Sequence, residues 1–339
     1  MKYICVIITQ NNAKNVGYER IIINGRLQNR ASSTIPKRNR FCYRFVSDKQ
    51  AQKDMKNKID DIFNSDEIIY HYTKTQTVYE YILHTKKLRL SDRKTSNDPI
   101  ESVIDRCIVK SFYGYLDTKK ADNETADKVS KYILEKINNC KQLCFCKNND
   151  NPELQKFMIL PSEYYGFLKP RMWDQYGDKY NGVCLVFDKK ILKENNPDTY
   201  SNDIEYINYE EFFRSNISID LNNLYKIGLN EYCRDILEKI KNVSFLKHKD
   251  YSGENEYRFI SFSNSETYLN IGNSLKAIIV SRKNLSNFAD KRFIEFTTKN
   301  NIKLFYIKWD NSGYHIQSKE DYDKDLQMVS DLISRVKDN

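Results

Sequence analysis

The sequence predicts an α+β fold, a mixed or antiparallel sheet with helices packed around it, preceded by a small basic β-rich module. Three observations predict it. Apolar runs of strand length, such as GVCLVF at 182–187 and LKAIIV at 275–280, are scattered along the chain between segments of helical period. Those helical segments, near 123–139, 221–243 and 319–337, each carry an apolar stripe. The charge is unevenly placed: residues 1–60 hold 13 Lys/Arg against 4 Asp/Glu, an excess of 13 − 4 = +9, and the remainder holds 42 of each.

The elements follow in order. Residues 1–46 suggest short strands at Tyr3–Thr9, Ile21–Ile23 and Phe41–Val46, with the basic loop GRLQNRASSTIPKRNR between the last two. A helix over 48–63, with Met55, Ile59, Ile62 and Phe63 on one face, closes a module that ends near residue 64. The second part, 65–339, opens with a strand running into His71. Thr73 with Gln76 matches a capping box, so a helix is expected there, with Val78, Tyr79, Ile82 and Leu83 on its apolar face. KLRL at 87–90 and LCFC at 143–146 are short strands. The segment Leu221–Val243 is one strongly helical stretch. YRFISF (257–262) and KLFYIKW (303–309) are strands, and the segments near 286–299 and 319–337 are helices. In the last, Tyr322, Leu326, Val329, Ile333 and Val336 form one stripe.

Composition narrows the class. With 339 residues, 40% hydrophobic and 30% charged, the chain is an ordinary globular one with room for a sizeable core. The opening MKYICVIITQNN has too short an apolar run for a signal segment, and no stretch approaches a membrane span, so a soluble cytoplasmic protein is expected. The eight cysteines show no paired framework. Cys140, Cys144 and Cys146 cluster as C-x-x-x-C-x-C, but two of them flank Phe145 in a strand-like run, so no metal site is expected.

Three segments could carry chemistry. His71 ends an apolar strand, where an imidazole can face a cleft. Trp173 and Tyr176 are three apart, share a helix face and could stack on a flat heterocycle. Glu254, Glu256 and Arg258 alternate at the start of a strand and so point to one side, with Lys247 and His248 just upstream. Two acids and a guanidinium on one face are costly to bury unless they pair or meet a ligand. Each segment also has a plain structural reading: a satisfied histidine, core aromatics, a salt-bridged face.

In this order, HYT, KLRLS, NDPIE, CFCKNNDNP, MWDQYG, GVCLVFD and KHKDYSGENEYRF resemble the bacterial domain-of-unknown-function family 2971 over residues 67–310. Cys146 stands where the family's CFS motif has serine. That family is in turn similar to the ADP-ribosyltransferase superfamily, which implies a split antiparallel or mixed sheet. It also implies a histidine near the end of a first strand followed by a small hydroxyl residue, then an aromatic residue, then a glutamate on a later strand. Under the resemblance, NAD is the substrate, held by His71, Tyr72, Thr73, Trp173 and Arg258. Glu256 or Glu254, with Tyr176, carries the chemistry.

The resulting expectation is an NAD-dependent ADP-ribosyltransferase that modifies a macromolecule, nucleic acid or protein, as a toxin or antiviral defence effector. Glu256→Gln is then expected to leave folding unaffected and to cost orders of magnitude in rate. The alternative is a nucleic-acid-binding protein or nuclease recruited through residues 1–64, where Tyr3, Tyr18, Phe41, Tyr43 and Phe45 interleave with the basic residues. Asp98 and Glu101 are the acids such a nuclease would offer to a metal. A third possibility keeps the fold as a non-catalytic sensor.

Overall fold

The computed structural model describes residues 3–11, 15–23, 62–96, 98, 123–155, 162–215, 217, 219–283, 285–310 and 313–337. The chain divides into two compact units, Met1–Asn64 and Ser65–Asn339. In the first, β1 (Tyr3–Asn11) pairs antiparallel with β2 (Asn15–Ile23), from Tyr3↔Ile23 to Asn11↔Asn15. Both strands run longer than their apolar cores suggest, because pairing extends through polar residues as far as Asn11↔Asn15. The basic loop, the strand at 41–46 and most of the helix at 48–63 lie outside the described residues.

The second unit is built on one large mixed sheet. Its strands are β3 (Ile68–Thr73), β5 (Ser91–Asp92), β6 (Cys140–Lys147), β7 (Val183–Asp188), β8 (Tyr200–Asp203), β11 (Glu256–Phe262), β13 (Leu275–Ser281), β14 (Lys303–Asp310) and β15 (Gly313–Ser318). The order across it is β15-β14-β13-β7-β3-β6-β11-β8, with β5 on β6. Among the described strands of this sheet, only β13 and β14 run parallel, joined by the helix Asn287–Asn300. Two small pairs stand apart: β4 (Lys87–Arg89) with β12 (Tyr268–Asn270), and β9 (Glu205–Ile207) with β10 (Leu246–His248).

The sheet is nearly cut in two. β3 pairs with β7 over six residues, but with β6 only through Ile69↔Lys147 and Tyr70↔Cys146. Beyond Tyr70 the strands part. Gly166 helps to shape this junction. A Cβ there would stand 2.4 Å from Tyr70 Cδ2 and 2.6 Å from the Lys147 carbonyl, so only glycine permits the approach. The Gly166 amide donates to Asn148 Oδ1 (3.0 Å), and its carbonyl accepts from Tyr72 Oη (2.6 Å).

One sheet face carries the main core: Ile69, Phe145, Leu185, Phe187, Phe259 and Ile278 pack with Val78, Ile82 and Phe293. A second cluster joins the helix Asn123–Asn138 (Val129, Ile133) to Leu221, Leu224, Tyr232, Ile236 and Ile240. Three sequence expectations need correction. Thr73 completes β3 instead of capping a helix; Lys74 takes the N-cap position without a side-chain hydrogen bond. The stretch 221–243 is two helices, Leu221–Ile227 and Leu229–Ser244, broken at Gly228 with φ +84°. The helix Lys319–Lys337 forms as expected, but Leu326 is 51% exposed, so the stripe is not uniformly buried.

Candidate functional site

The site grows from the start of β11. The tripeptide Glu254-Asn255-Glu256 does not reach it as alternating strand residues. Glu254 ends a 3-10 turn, Lys249–Glu254, and Asn255 adopts the left-handed conformation (φ 45°, ψ 62°) before the strand begins at Glu256. Asparagine tolerates that region because its short amide finds local hydrogen bonds; here Nδ2 donates to the Asn148 carbonyl (2.6 Å). The kink turns both acids toward Lys247 on β10.

Lys247 Nζ donates to Glu254 Oε2 (2.6 Å) and to Glu256 Oε2 (3.2 Å). Arg258 Nε donates to Glu256 Oε1 (2.6 Å), and Arg258 Nη1 caps the helix Leu229–Ser244 by donating to the Ser244 carbonyl (2.9 Å). Lys247, Glu254, Glu256 and Arg258 are all buried. Removing one partner of such a buried network strands a charge and costs about 3–5 kcal/mol. The expectation that Glu256→Gln leaves folding unaffected therefore does not fit this environment.

Glu254 differs from Glu256 in one respect. Both Glu256 oxygens are engaged, whereas among the described residues Glu254 Oε1 accepts no hydrogen bond. The side chain is 4% exposed. Burial pushes its carboxyl above the usual range, against the opposing pull of Lys247. Arg171 Nη2 stands 3.6 Å from Oε1, and Lys169 Nζ donates to the Glu254 carbonyl (2.6 Å). Lys247, Arg258 and Arg171 thus face the two carboxylates, and Lys169 meets the Glu254 main chain.

The aromatic pair separates. The helix Pro170–Gln175 ends at Tyr176, so Trp173 turns inward and Tyr176 outward. Trp173 is fully buried, its indole N–H donates to the Phe167 carbonyl (2.8 Å), and its ring meets Tyr72 edge-on at 5.3 Å. It is a core residue. Tyr176 is 42% exposed, and its hydroxyl is pushed up to about 12 by burial and then by the Glu254 charge.

His71 stands elsewhere. The registers Tyr70↔Cys146 and Glu256↔Cys146 place Tyr70, Cys146 and Glu256 on one face, so alternation turns His71 and Thr73 to the other. The His71 ring packs 5.5 Å from Phe145. Where β3 and β6 part, Nδ1 meets the Cys144 carbonyl at 3.1 Å. A carbonyl only accepts, so Nδ1 carries the proton and Nε2 is left as an acceptor. Burial lowers the imidazole below its ordinary value and keeps it neutral. Of the predicted residues, the fold brings together Glu254, Glu256, Arg258 and Tyr176. Tyr72 and Trp173 lie beneath them in the core, and His71 and Thr73 face away.

Two comparisons are empty: neither a curated protein nor a solved structure matches the chain. A family model matches residues 172–259. Its description is Protein of unknown function (DUF2971). The DUF2971 segment contains Trp173, Tyr176, Lys247, Glu254, Glu256 and Arg258. It excludes His71 and the CFC strand, which the resemblance over 67–310 had included.

Sequence reasoning missed Lys169, Arg171, Tyr206 and Tyr251. Lys169 and Arg171 stand just before the aromatic motif in LKPRMWDQYG, and two cations beside a candidate ligand platform were the available signal. Tyr206, whose hydroxyl accepts from the Glu256 amide (2.9 Å), left none. Asp98 is buried and Glu101 lies outside the described residues. Among the described residues, no group of three His, Cys, Asp or Glu side chains is placed to hold a metal ion, and no helix is long and apolar enough to cross a membrane.

Proposed function

We propose that the protein is an NAD-dependent ADP-ribosyltransferase that modifies a macromolecular acceptor, nucleic acid or protein, as a toxin or antiviral defence effector. The observation that carries this is Glu254: a buried carboxylate with one oxygen to spare, set in a positive surround beside an exposed tyrosine ring. The chemistry asks for those features. When the nicotinamide–ribose bond breaks, its electron pair leaves with nicotinamide, and the ribose becomes an oxocarbenium-like cation. A fixed carboxylate beneath the sugar stabilises that charge and accepts from the neighbouring hydroxyl. An acceptor lone pair then bonds to the sugar carbon, and its proton passes to a carboxylate.

In this scheme Glu254 Oε1 meets the ribose hydroxyl. Glu256, pinned by Lys247 and Arg258, contributes its field from a fixed position. Tyr176 offers its ring to nicotinamide, and the exposed guanidinium of Arg171 suits the pyrophosphate. His71 would clamp the second ribose only if the dinucleotide crossed the sheet where β3 and β6 part. Residues 1–64, with their excess of basic side chains, would draw in a polyanionic acceptor.

The test is nicotinamide release from NAD by the full chain, with acceptor extract present. Release is expected. Glu254→Gln should lower it by roughly 100- to 1,000-fold, the usual effect of losing one transition-state contact. No release by the wild-type chain would sink the proposal.

A further inference from the structure

The guanidinium of Arg171 is held on two sides and open on a third. Its Nε donates to Gln175 Oε1 one helical turn away (3.2 Å), and its Cζ lies 5.1 Å from the centre of the Tyr251 ring. The same ring takes Lys247 Nζ at 4.8 Å, so Tyr251 is a platform shared by two cations. Lys247 is committed to both acids. Arg171 is not: Nη2 stands 3.6 Å from Glu254 Oε1, an ion-pair distance too long for a hydrogen bond. The side chain is 46% exposed, and the carboxylate oxygen it faces is buried without a hydrogen-bond donor. A pre-oriented fork with donors to spare thus rests against, and covers, an acceptor that has no donor.

A ligand bound at the exposed edge of the guanidinium must accept from the fork and, as Arg171 turns toward it, donate to the carboxylate oxygen that the fork covers. Phosphate oxygens match a guanidinium edge in planar geometry, and a sugar hydroxyl supplies the donor. Tyr176, exposed and within reach of the Glu254 charge, gives a face for a flat ring. We infer that Arg171 is a ligand-anchoring residue, which takes a phosphate of a nucleotide while a sugar hydroxyl of that nucleotide donates to Glu254 Oε1. This deepens the proposed function by assigning the anionic part of the ligand to Arg171, with Lys247 and Arg258 left to hold the acids. It concerns binding and does not require turnover.

The probes are ADP-ribose, ADP and adenosine, titrated into the full chain by calorimetry at fixed salt. ADP-ribose and ADP should bind to the wild type. Arg171→Gln should weaken both by tenfold or more and leave any adenosine binding unchanged. Arg171→Lys should recover only part, since an ammonium lacks the planar fork. Because Arg171 is exposed, the variants should keep the wild-type melting temperature. Undiminished ADP-ribose binding by Arg171→Gln, or no binding of either phosphate compound to the wild type, overturns the inference. ADP-ribose binding that depends on Arg171 without nicotinamide release from NAD would reject the transferase proposal and keep this one.

Discussion

At the scale of single residues, environment decides which ionisable groups remain available. Glu254 and Glu256 are two positions apart and chemically identical, yet only the first keeps an oxygen without a donor. Arg258 and Lys247 reveal why the acids tolerate burial: each faces a carboxylate with a positive charge and donates to one of its oxygens. His71 answers to a different demand. Its Nδ1 donates to the Cys144 carbonyl where the strands separate, in a buried setting that disfavours the imidazolium. The folded ring titrates below its ordinary value, so as pH falls the unfolded chain binds the proton first. Its contribution to stability is intact above the ordinary imidazole value and is lost as pH drops through the folded one. Urea denaturation from pH 7.5 to pH 5 should show this loss in the wild type and a flatter profile in His71→Gln. Equal slopes would show that the ring is not held neutral by the fold.

At the scale of elements, short-range sequence cues were right about type and less so about limits. The helical periodicity from Leu221 to Val243 is real on both sides of Gly228. The break is a backbone matter: Gly228 lies at φ 84°, ψ 161°, a region essentially reserved for glycine. A Cβ there would meet nothing within 4 Å, so the cost of substitution is conformational and not steric. Gly228→Ala should therefore destabilise by about 1–3 kcal/mol, measured by chemical denaturation. A loss within error of zero would mean that the two helices can merge into the single one that the periodicity suggests. The capping box expected at Thr73 failed because its residue was taken by the sheet: Thr73 pairs with Val183. A true capping box forms at Asn208 and Glu211, where no strand competes.

At the scale of the whole second unit, the weak seam between β3 and β6 is the dominant feature. Two residue pairs join the half-sheets, whereas the other neighbours along the order β15 to β8 pair over four to seven residues. Backbone hydrogen bonds at a sheet edge open with less free energy than those inside a long ladder. Amide exchange of the full chain should thus be faster at Tyr72 and Cys144, flanking the seam, than at Leu185 and Ile279, inside continuous ladders. Uniform protection would show that the sheet behaves as one cooperative body. The acids and the exposed Tyr176 ring belong to the segment that the DUF2971 model matches, residues 172–259, which holds β7 from one side of the seam and β8 and β11 from the other, while β3 and β6 lie outside it.

The sequence by itself determined the fold class, most strands and helices, and the segments that hold the candidate site. Apolar period and turn chemistry act over a few residues and can be read locally: GVCLVF had to be a buried strand, and EYR had to set Glu256 and Arg258 on one face of a strand. Only the tertiary structure decided which of these side chains meet. His71 and Glu256 are fixed to opposite faces by the register of β6, Trp173 is taken by the core, and Arg171 is brought to Glu254 by a helix more than eighty positions away in the chain. Register and long-range packing depend on every strand at once, so no local pattern encodes them.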